Sequence, residues 1–167
     1  GRGHPAVFGF YANKQLTTGE GGMVTCNDDA LARQIKLLRS HGETDKYLHE
    51  SVGYNYRMND MAGAIGCSRL DRLQEQTNIR RANAARYDKI IQRIDGILPP
   101  RATQGAEPVY HLYTAQLNLP KFNCGRDEFV NALKAEGVPT ATHYPRPLPK
   151  QPALAAYDEQ NTPVANN

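Results

Sequence analysis

The feature that most constrains this chain is the run Val7-Phe8-Gly9-Phe10-Tyr11, followed after two residues by Lys14 and then by Thr17-Thr18-Gly19-Glu20-Gly21-Gly22. An apolar, aromatic run of this length reads as a short buried strand over residues 7–11. The glycine cluster cannot continue it, because glycines punctuate elements and permit tight turns and close backbone approach. Lys14 therefore leaves the end of a strand and stands in a turn. An amine set among apolar and aromatic groups is desolvated in its charged form, which favours the neutral form. A neutral amine is a nucleophile, able to form a Schiff base with an aldehyde-bearing cofactor. A loop lysine in water is the alternative reading of the same residues.

Beyond the turn the pattern alternates between elements. Residues 22–26 read as a strand, and Asn27-Asp28-Asp29 supplies capping groups for a helix to about Ser40 with Leu31, Ile35 and Leu38 as its apolar stripe. Residues 43–57 lose all periodicity and read as a loop, a common place for binding residues. Asn59-Asp60 caps a helix that opens on Met61-Ala62-Gly63-Ala64-Ile65-Gly66, small residues that weaken the helix but let another backbone approach. The helical pattern resumes after Glu75, with Tyr87, Ile90, Ile91 and Ile94 as a stripe, and Gly96 and Pro99-Pro100 end it. Residues 101–108 are a polar connector. Residues 110–119 alternate as a half-buried strand with His111, Tyr113, Ala115, Leu117 and Leu119 on one face. Residues 126–136 form an amphipathic helix with Phe129, Val130 and Leu133 inward, Gly137 stops it, and 138–144 read as a strand. Helices alternating with strands indicate an α/β architecture.

Composition excludes several function classes. Twenty Lys and Arg against seventeen Asp and Glu give a formal charge of +3, too mild to imply a polyanionic partner. The basic cluster Arg80, Arg81, Arg86, Lys89 and Arg93 is interleaved with apolar helix positions and reads as a solvated face. Nucleic-acid binding is not expected. Cys26, Cys67 and Cys124 are odd in number and lack metal-ligand or redox spacing, and His4, His41, His49 and His111 read as locally hydrogen-bonded. No apolar run is long enough to span a membrane, so the cytoplasm is the default compartment. A chain of 167 residues could bury roughly 70% of its extended surface, enough for one ordinary domain.

The segment Phe8 to Val24, Phe-Gly-Phe-Tyr-x-x-Lys-x-Leu-Thr-Thr-Gly-Glu-Gly-Gly-Met-Val, resembles the cofactor-lysine segment of the DegT-type (DegT/DnrJ/StrS) sugar aminotransferases, which use pyridoxal phosphate. The resemblance continues in order through Leu37-Leu38-Arg39-Ser40-His41-Gly42, Gly53-Tyr54-Asn55-Tyr56-Arg57-Met58-Asn59-Asp60, Ala64-Ile65-Gly66, Arg80-Arg81 to Tyr87, and His143-Tyr144-Pro145 with Pro147-Leu148. It covers nearly the whole chain. It implies an aspartate-aminotransferase-like α/β fold (fold type I). Residues 1–76 would be the C-terminal part of the large cofactor-binding domain, and 77–167 an incomplete small domain. Family members are more than twice as long, so the resemblance implies an internal fragment, inactive alone, that begins at Gly1 and stops in the polar residues 161–167.

The resemblance also assigns roles. Lys14 would hold pyridoxal 5′-phosphate as a Schiff base and, once freed, serve as the general base and acid. Asn55 would reach the cofactor phosphate in the partner subunit of a homodimer formed through the large domain. His143 and Tyr144 would face the nucleotide sugar. The implied reaction moves an amino group, from glutamate, to a nucleotide-linked keto sugar in amino-sugar and polysaccharide biosynthesis. The Phe-Gly-Phe-Tyr variant resembles members that make 4-amino sugars such as perosamine from a 4-keto-6-deoxyhexose. Two positions depart from the family pattern: Gly9 stands where many relatives carry a phosphate-binding serine, and Pro149 follows Leu148 where a histidine is frequent. The pyridine-nitrogen aspartate and the main phosphate cradle would lie upstream of Gly1.

Three rivals remain at this point. A sugar dehydratase of the same family would carry histidine in place of Lys14. A regulatory or scaffold relative would keep the fold and lose catalysis. A nucleotide-binding loop at Gly19-Glu20-Gly21-Gly22 would need a phosphate-loop or dinucleotide pattern that is absent.

Overall fold

A computed structural model of the chain describes residues 3–157, so Gly1 and the polar run 161–167 lie outside the described residues. The chain divides into two compact units. One is Gly1–Ala85 with Ala106–His111, and the other is Arg86–Gly105 with the residues from Leu112 onward.

In the first unit, strand β1 (Ala6–Gly9) pairs antiparallel with β2 (Gly22–Thr25), running from Ala6 opposite Thr25 to Gly9 opposite Gly22. The strand expected over residues 7–11 therefore exists, displaced towards the N-terminus, but it is not buried. Val7 faces Val24 and Phe8 faces Met23, and these four are 80%, 40%, 44% and 46% exposed. Phe10 alone of the run is buried. The reason is that a two-stranded ribbon has two faces, and little else among the described residues packs on either.

Helix α1 (Asp29–Arg39) begins where the capping residues place it: Asp28 Oδ1 accepts from the backbone N–H groups of Ala30 and Leu31 at 2.9 and 3.0 Å. Such a cap contributes about 1 kcal/mol. Leu31 and Ile35 are half-buried, while Leu38 is exposed. The last carbonyls of a helix lack partners within it. Here Leu37 accepts from Gly42 at 2.7 Å, Leu38 from Tyr54 at 2.7 Å and Arg39 from Tyr56 at 2.9 Å. Gly42 lies at φ +68°, and a Cβ there would meet the Ser51 carbonyl oxygen at 1.8 Å; one on Gly53 would sit 2.1 Å from the Gly42 nitrogen. Two backbone segments thus cross in direct contact.

Residues 43–57, expected as a loop, contain a small hairpin of β3 (Glu43–Asp45) and β4 (Leu48–His49). Its residues have no strand-like alternation. The turn is made by side chains: Asp45 accepts from Lys46 N–H and Glu43 from Tyr47 N–H, both at 2.7 Å. Helix α2 (Asp60–Asp71) is capped by Asn59, whose Oδ1 accepts from Ala62 N–H at 2.8 Å. Of its small residues, Gly66 lies against Thr18, whose Cγ2 would be 3.2 Å from an added Cβ, whereas Gly63 faces open space. Helix α3 (Leu73–Ile91) follows after Arg72, with Thr77 and Ala84 buried.

In the second unit, β5 (Ile97–Leu98) pairs antiparallel with β6 (Gln116–Leu117). The strand expected over residues 110–119 shrinks to β6, because its partner β5 offers only two residues to pair with, and Tyr110 at its start adopts φ +48°. Helix α4 (Arg126–Ala135) has Phe129, Val130 and Leu133 half-buried as expected, with Phe129 against Phe122 at 5.1 Å between ring centres. Gly137, at φ +79°, closes it as Val138 N–H reaches the Leu133 carbonyl at 2.9 Å. Residues 138–144 form no strand, having no partner strand among the described residues. The stripe of α3 is half satisfied: Tyr87 meets Tyr113 at 5.1 Å, but Ile90 is 58% and Ile94 42% exposed.

Candidate active site

The turn that carries Lys14 is wired to the end of β1. Lys14 N–H donates to the Tyr11 carbonyl at 2.9 Å, Thr18 N–H to Phe10 at 3.0 Å, and Phe10 N–H to Gly21 at 2.8 Å. The Thr17 hydroxyl donates to the Phe10 carbonyl at 3.1 Å and accepts from Gly19 N–H at 3.0 Å, while Thr18 Oγ1 donates to the Glu20 carbonyl at 2.6 Å. The glycines serve this wiring: Gly19 sits at φ +84°, and a Cβ on Gly21 would meet Thr18 Oγ1 at 2.7 Å and Met58 Cε at 3.1 Å. Thr18 is buried between this turn and α2.

Lys14 itself is exposed, and its amine has no hydrogen bond or ion pair among the described residues. The expectation that apolar and aromatic groups of this chain would desolvate it is not met. Phe10 turns inward to pack beneath the turn, and Tyr11 stays 52% exposed, so neither roofs the amine. What the described residues provide is a primary amine with no ion-pair partner among them, on a turn held by backbone and threonine hydrogen bonds.

Asn55 is placed by the end of α1. Tyr54 and Tyr56 give their N–H groups to α1 carbonyls, their rings stack at 4.9 Å and 7°, and Asn55 between them bridges Ser40. Alternation of an extended backbone turns Asn55 to the opposite face from the tyrosines. Its Oδ1 accepts from Arg57 Nε at 3.2 Å, which fixes the amide with its NH₂ group pointing away. Arg57 Nη2 lies 3.5 Å from His41 Nε2. Sequence reasoning assigned no role to Arg57, and nothing in the sequence says which amide atom a neighbour takes.

A Cβ on Gly9 would meet nothing within 4 Å, so the position has room for the serine that many relatives place there. His143 and Tyr144 lie in the second unit with their rings 3.9 Å apart, both exposed. Lys14 and Asn55 share the first unit on separate segments, with no hydrogen bond between them among the described residues.

Arg80 and Arg81 do not form a solvated face. Arg80 Nη1 donates to the Tyr110 and His111 carbonyls at 3.4 and 3.3 Å, and Arg81 Nε to the Pro108 carbonyl at 3.0 Å. The signal available was the proline-flanked connector, whose carbonyls had to find donors somewhere. Cys26, Cys67 and Cys124 are free thiols.

The mixed strands and helices, with the amine-bearing turn closing a β-hairpin, match a class of solved structures, the α/β proteins of aspartate-aminotransferase-like fold type I. A solved structure of the Streptomyces venezuelae protein DesV, in complex with a ketimine intermediate, matches 98% of this chain and 42% of its own at a TM-score of 0.87 and 34% identity. The chain belongs to the DegT/DnrJ/EryC1/StrS aminotransferase family, whose profile matches residues 1–167. A pleiotropic regulatory protein of Geobacillus stearothermophilus is 36% identical over 98% of this chain and 44% of its own length. A dTDP-3-amino-3,4,6-trideoxy-alpha-D-glucose transaminase of S. venezuelae is 37% identical over 90% of this chain and 38% of its own. The chain thus spans about two fifths of the length of the relatives it matches.

Proposed function

We propose that this chain is the lysine-bearing part of a pyridoxal-phosphate aminotransferase that transfers an amino group from an amino acid, glutamate, to a nucleotide-linked keto sugar. The observation that carries the reading is Lys14, whose amine has no hydrogen bond or ion pair among the described residues and whose turn is fixed by backbone and threonine hydrogen bonds. We read residues 1–76 as the C-terminal part of the large domain and 77–167 as small domain. The 4-keto-6-deoxyhexose class, as in perosamine formation, is the substrate that the Phe-Gly-Phe-Tyr variant favours.

The residues present fit the cofactor: Lys14 offers an amine for covalent attachment, and Asn55 offers two outward N–H donors for a phosphate. When bound, pyridoxal phosphate supplies an electron sink for negative charge at the donor's α-carbon. Lys14 Nζ would act as the general base for the proton on that carbon and as the general acid that supplies one to the sugar carbon in the second half-reaction. Asn55 serves the site of a partner subunit, which makes the active protein a homodimer. His143 and Tyr144 face the nucleotide sugar from the small domain.

A regulatory reading has support in the name of the Geobacillus relative. The Lys14 amine, without a partner among the described residues, favours catalysis, and its presence where a dehydratase would carry histidine disfavours that branch. The test is borohydride reduction of the full-length protein with pyridoxal phosphate, followed by peptide mapping. The cofactor mass is expected on Lys14, and Lys14→Ala is expected to abolish both labelling and amino transfer. A label on a different lysine, or none at all, would overturn the reading.

A further inference from the structure

The stretch Glu107 to His111 is not part of a strand, and its carbonyls are taken one after another by side chains of the first unit. Arg81 takes Glu107 at 3.4 Å and Pro108 at 3.0 Å, and Arg80 takes Tyr110 and His111 at 3.4 and 3.3 Å. The one between them, Val109, accepts from Gln15 Nε2, which comes from a residue 94 positions earlier and adjacent to Lys14. Arg81 also pairs with the Glu107 carboxylate at 3.2 Å. The lysine turn needs such a tie. Its backbone bonds hold Lys14 on the N-terminal side and Thr18 on the far side, the Thr17 hydroxyl holds Thr17, and of the two residues left between, Gln15 is tied through its side chain.

We propose that residues 107–111 form a rail, bolted down by Arg80 and Arg81, and that Gln15 docks the lysine turn on it as a positioning residue for Lys14 Nζ. This rests on the reading that Lys14 is the reactive amine. A lysine side chain has four rotatable bonds, so the placement of its backbone is the part of the geometry that the fold can set in advance. Proton transfer depends steeply on that placement, and a displacement near 1 Å costs on the order of 100-fold in rate.

The experiment uses the full-length protein loaded with pyridoxal phosphate and compares Gln15→Ala, Gln15→Glu and Lys14→Ala. Gln15→Glu keeps the shape of the side chain but puts an acceptor where a donor is required. Both Gln15 variants are expected to lower kcat about tenfold, to leave KM for the amino donor within about twofold, and to slow borohydride trapping of the cofactor on Lys14. Combining Gln15→Ala with Arg81→Gln is expected to cost no more than the larger single effect, because both act through the same rail. Unchanged kcat and trapping in both Gln15 variants overturn the proposal, as does full additivity with Arg81→Gln. Trapping that survives in Lys14→Ala overturns the prior reading of the lysine instead, so the two failures are distinct.

Discussion

Asn55 is aimed by its neighbours. An asparagine amide can present its oxygen or its nitrogen outward, and Arg57 Nε settles the choice by occupying Oδ1 at 3.2 Å. Only the NH₂ end is then left for a ligand, and that end suits an anion. In the full-length apoenzyme, Asn55→Ala is expected to raise the Kd for pyridoxal phosphate about tenfold, the value of a hydrogen bond to a charged group. Asn55→Asp is expected to weaken binding further, since it sets a carboxylate against a phosphate. A fluorescence titration measures both, and an unchanged Kd would remove Asn55 from the cofactor's site. Lys14 and Asn55 stand out in the sequence because ordered motifs carry them, and the roles given to them are proposals. Arg57 and Gln15 do not stand out, since nothing in the sequence says that Arg57 takes the Asn55 oxygen or that Gln15 reaches the Val109 carbonyl.

Elements were legible where their signals are local. The caps Asp28 and Asn59 start helices where expected, and Gly137 ends α4. The expected strand over 110–119 failed because alternation describes side chains and says nothing of a partner as short as β5 or of a left-handed residue such as Tyr110. The crossing of Gly42 with Ser51 and Gly53 was equally silent. There, Gly42→Ala is expected to lose about 3 kcal/mol or more, combining a φ of +68° with a clash against backbone. Gly63→Ala, on an open face of α2, is expected to be neutral or stabilising by up to about 1 kcal/mol. Urea midpoints compare the two. In the second unit, Lys121 Nζ donates to Asp95 at 2.9 Å and holds its carboxyl below the ordinary carboxylate range. A carboxylate with a lowered folded-state pKa contributes stability above the unfolded-state value and loses it as pH falls through the folded one. Asp95→Asn is therefore expected to lower the urea midpoint slightly at neutral pH and to have no effect once the medium is acid enough to protonate Asp95 in both states. An equal shift at both pH values would count against the pair.

At the scale of the whole molecule the chain exposes 13594 Å², against roughly 8200 Å² for a folded monomer of its 18.5 kDa. It buries about half of its extended surface, not the roughly 70% that its length allows. Among the described residues, Phe10 and Ala84 are the buried apolar side chains. Length alone could not reveal this; the chain spans about two fifths of the length of the relatives it matches. Among the described residues no helix is long and apolar enough to cross a membrane. The 167-residue chain purified by itself is expected to bind the dye ANS strongly, to self-associate, and to take up pyridoxal phosphate at least tenfold more weakly than the full-length protein. A monodisperse chain that ignores the dye and binds the cofactor tightly would contradict this.

Strands β1 and β2 hydrogen-bond to each other and, among the described residues, to no further strand. Each accordingly presents an open edge of N–H and C=O groups, a template on which any extended segment can lay itself down. The hairpin has no proline or lysine within its two strands to blunt either edge. Aggregation of the isolated chain would start beside Lys14, and a peptide that capped those edges would do more for its solubility than any change to its surface charge.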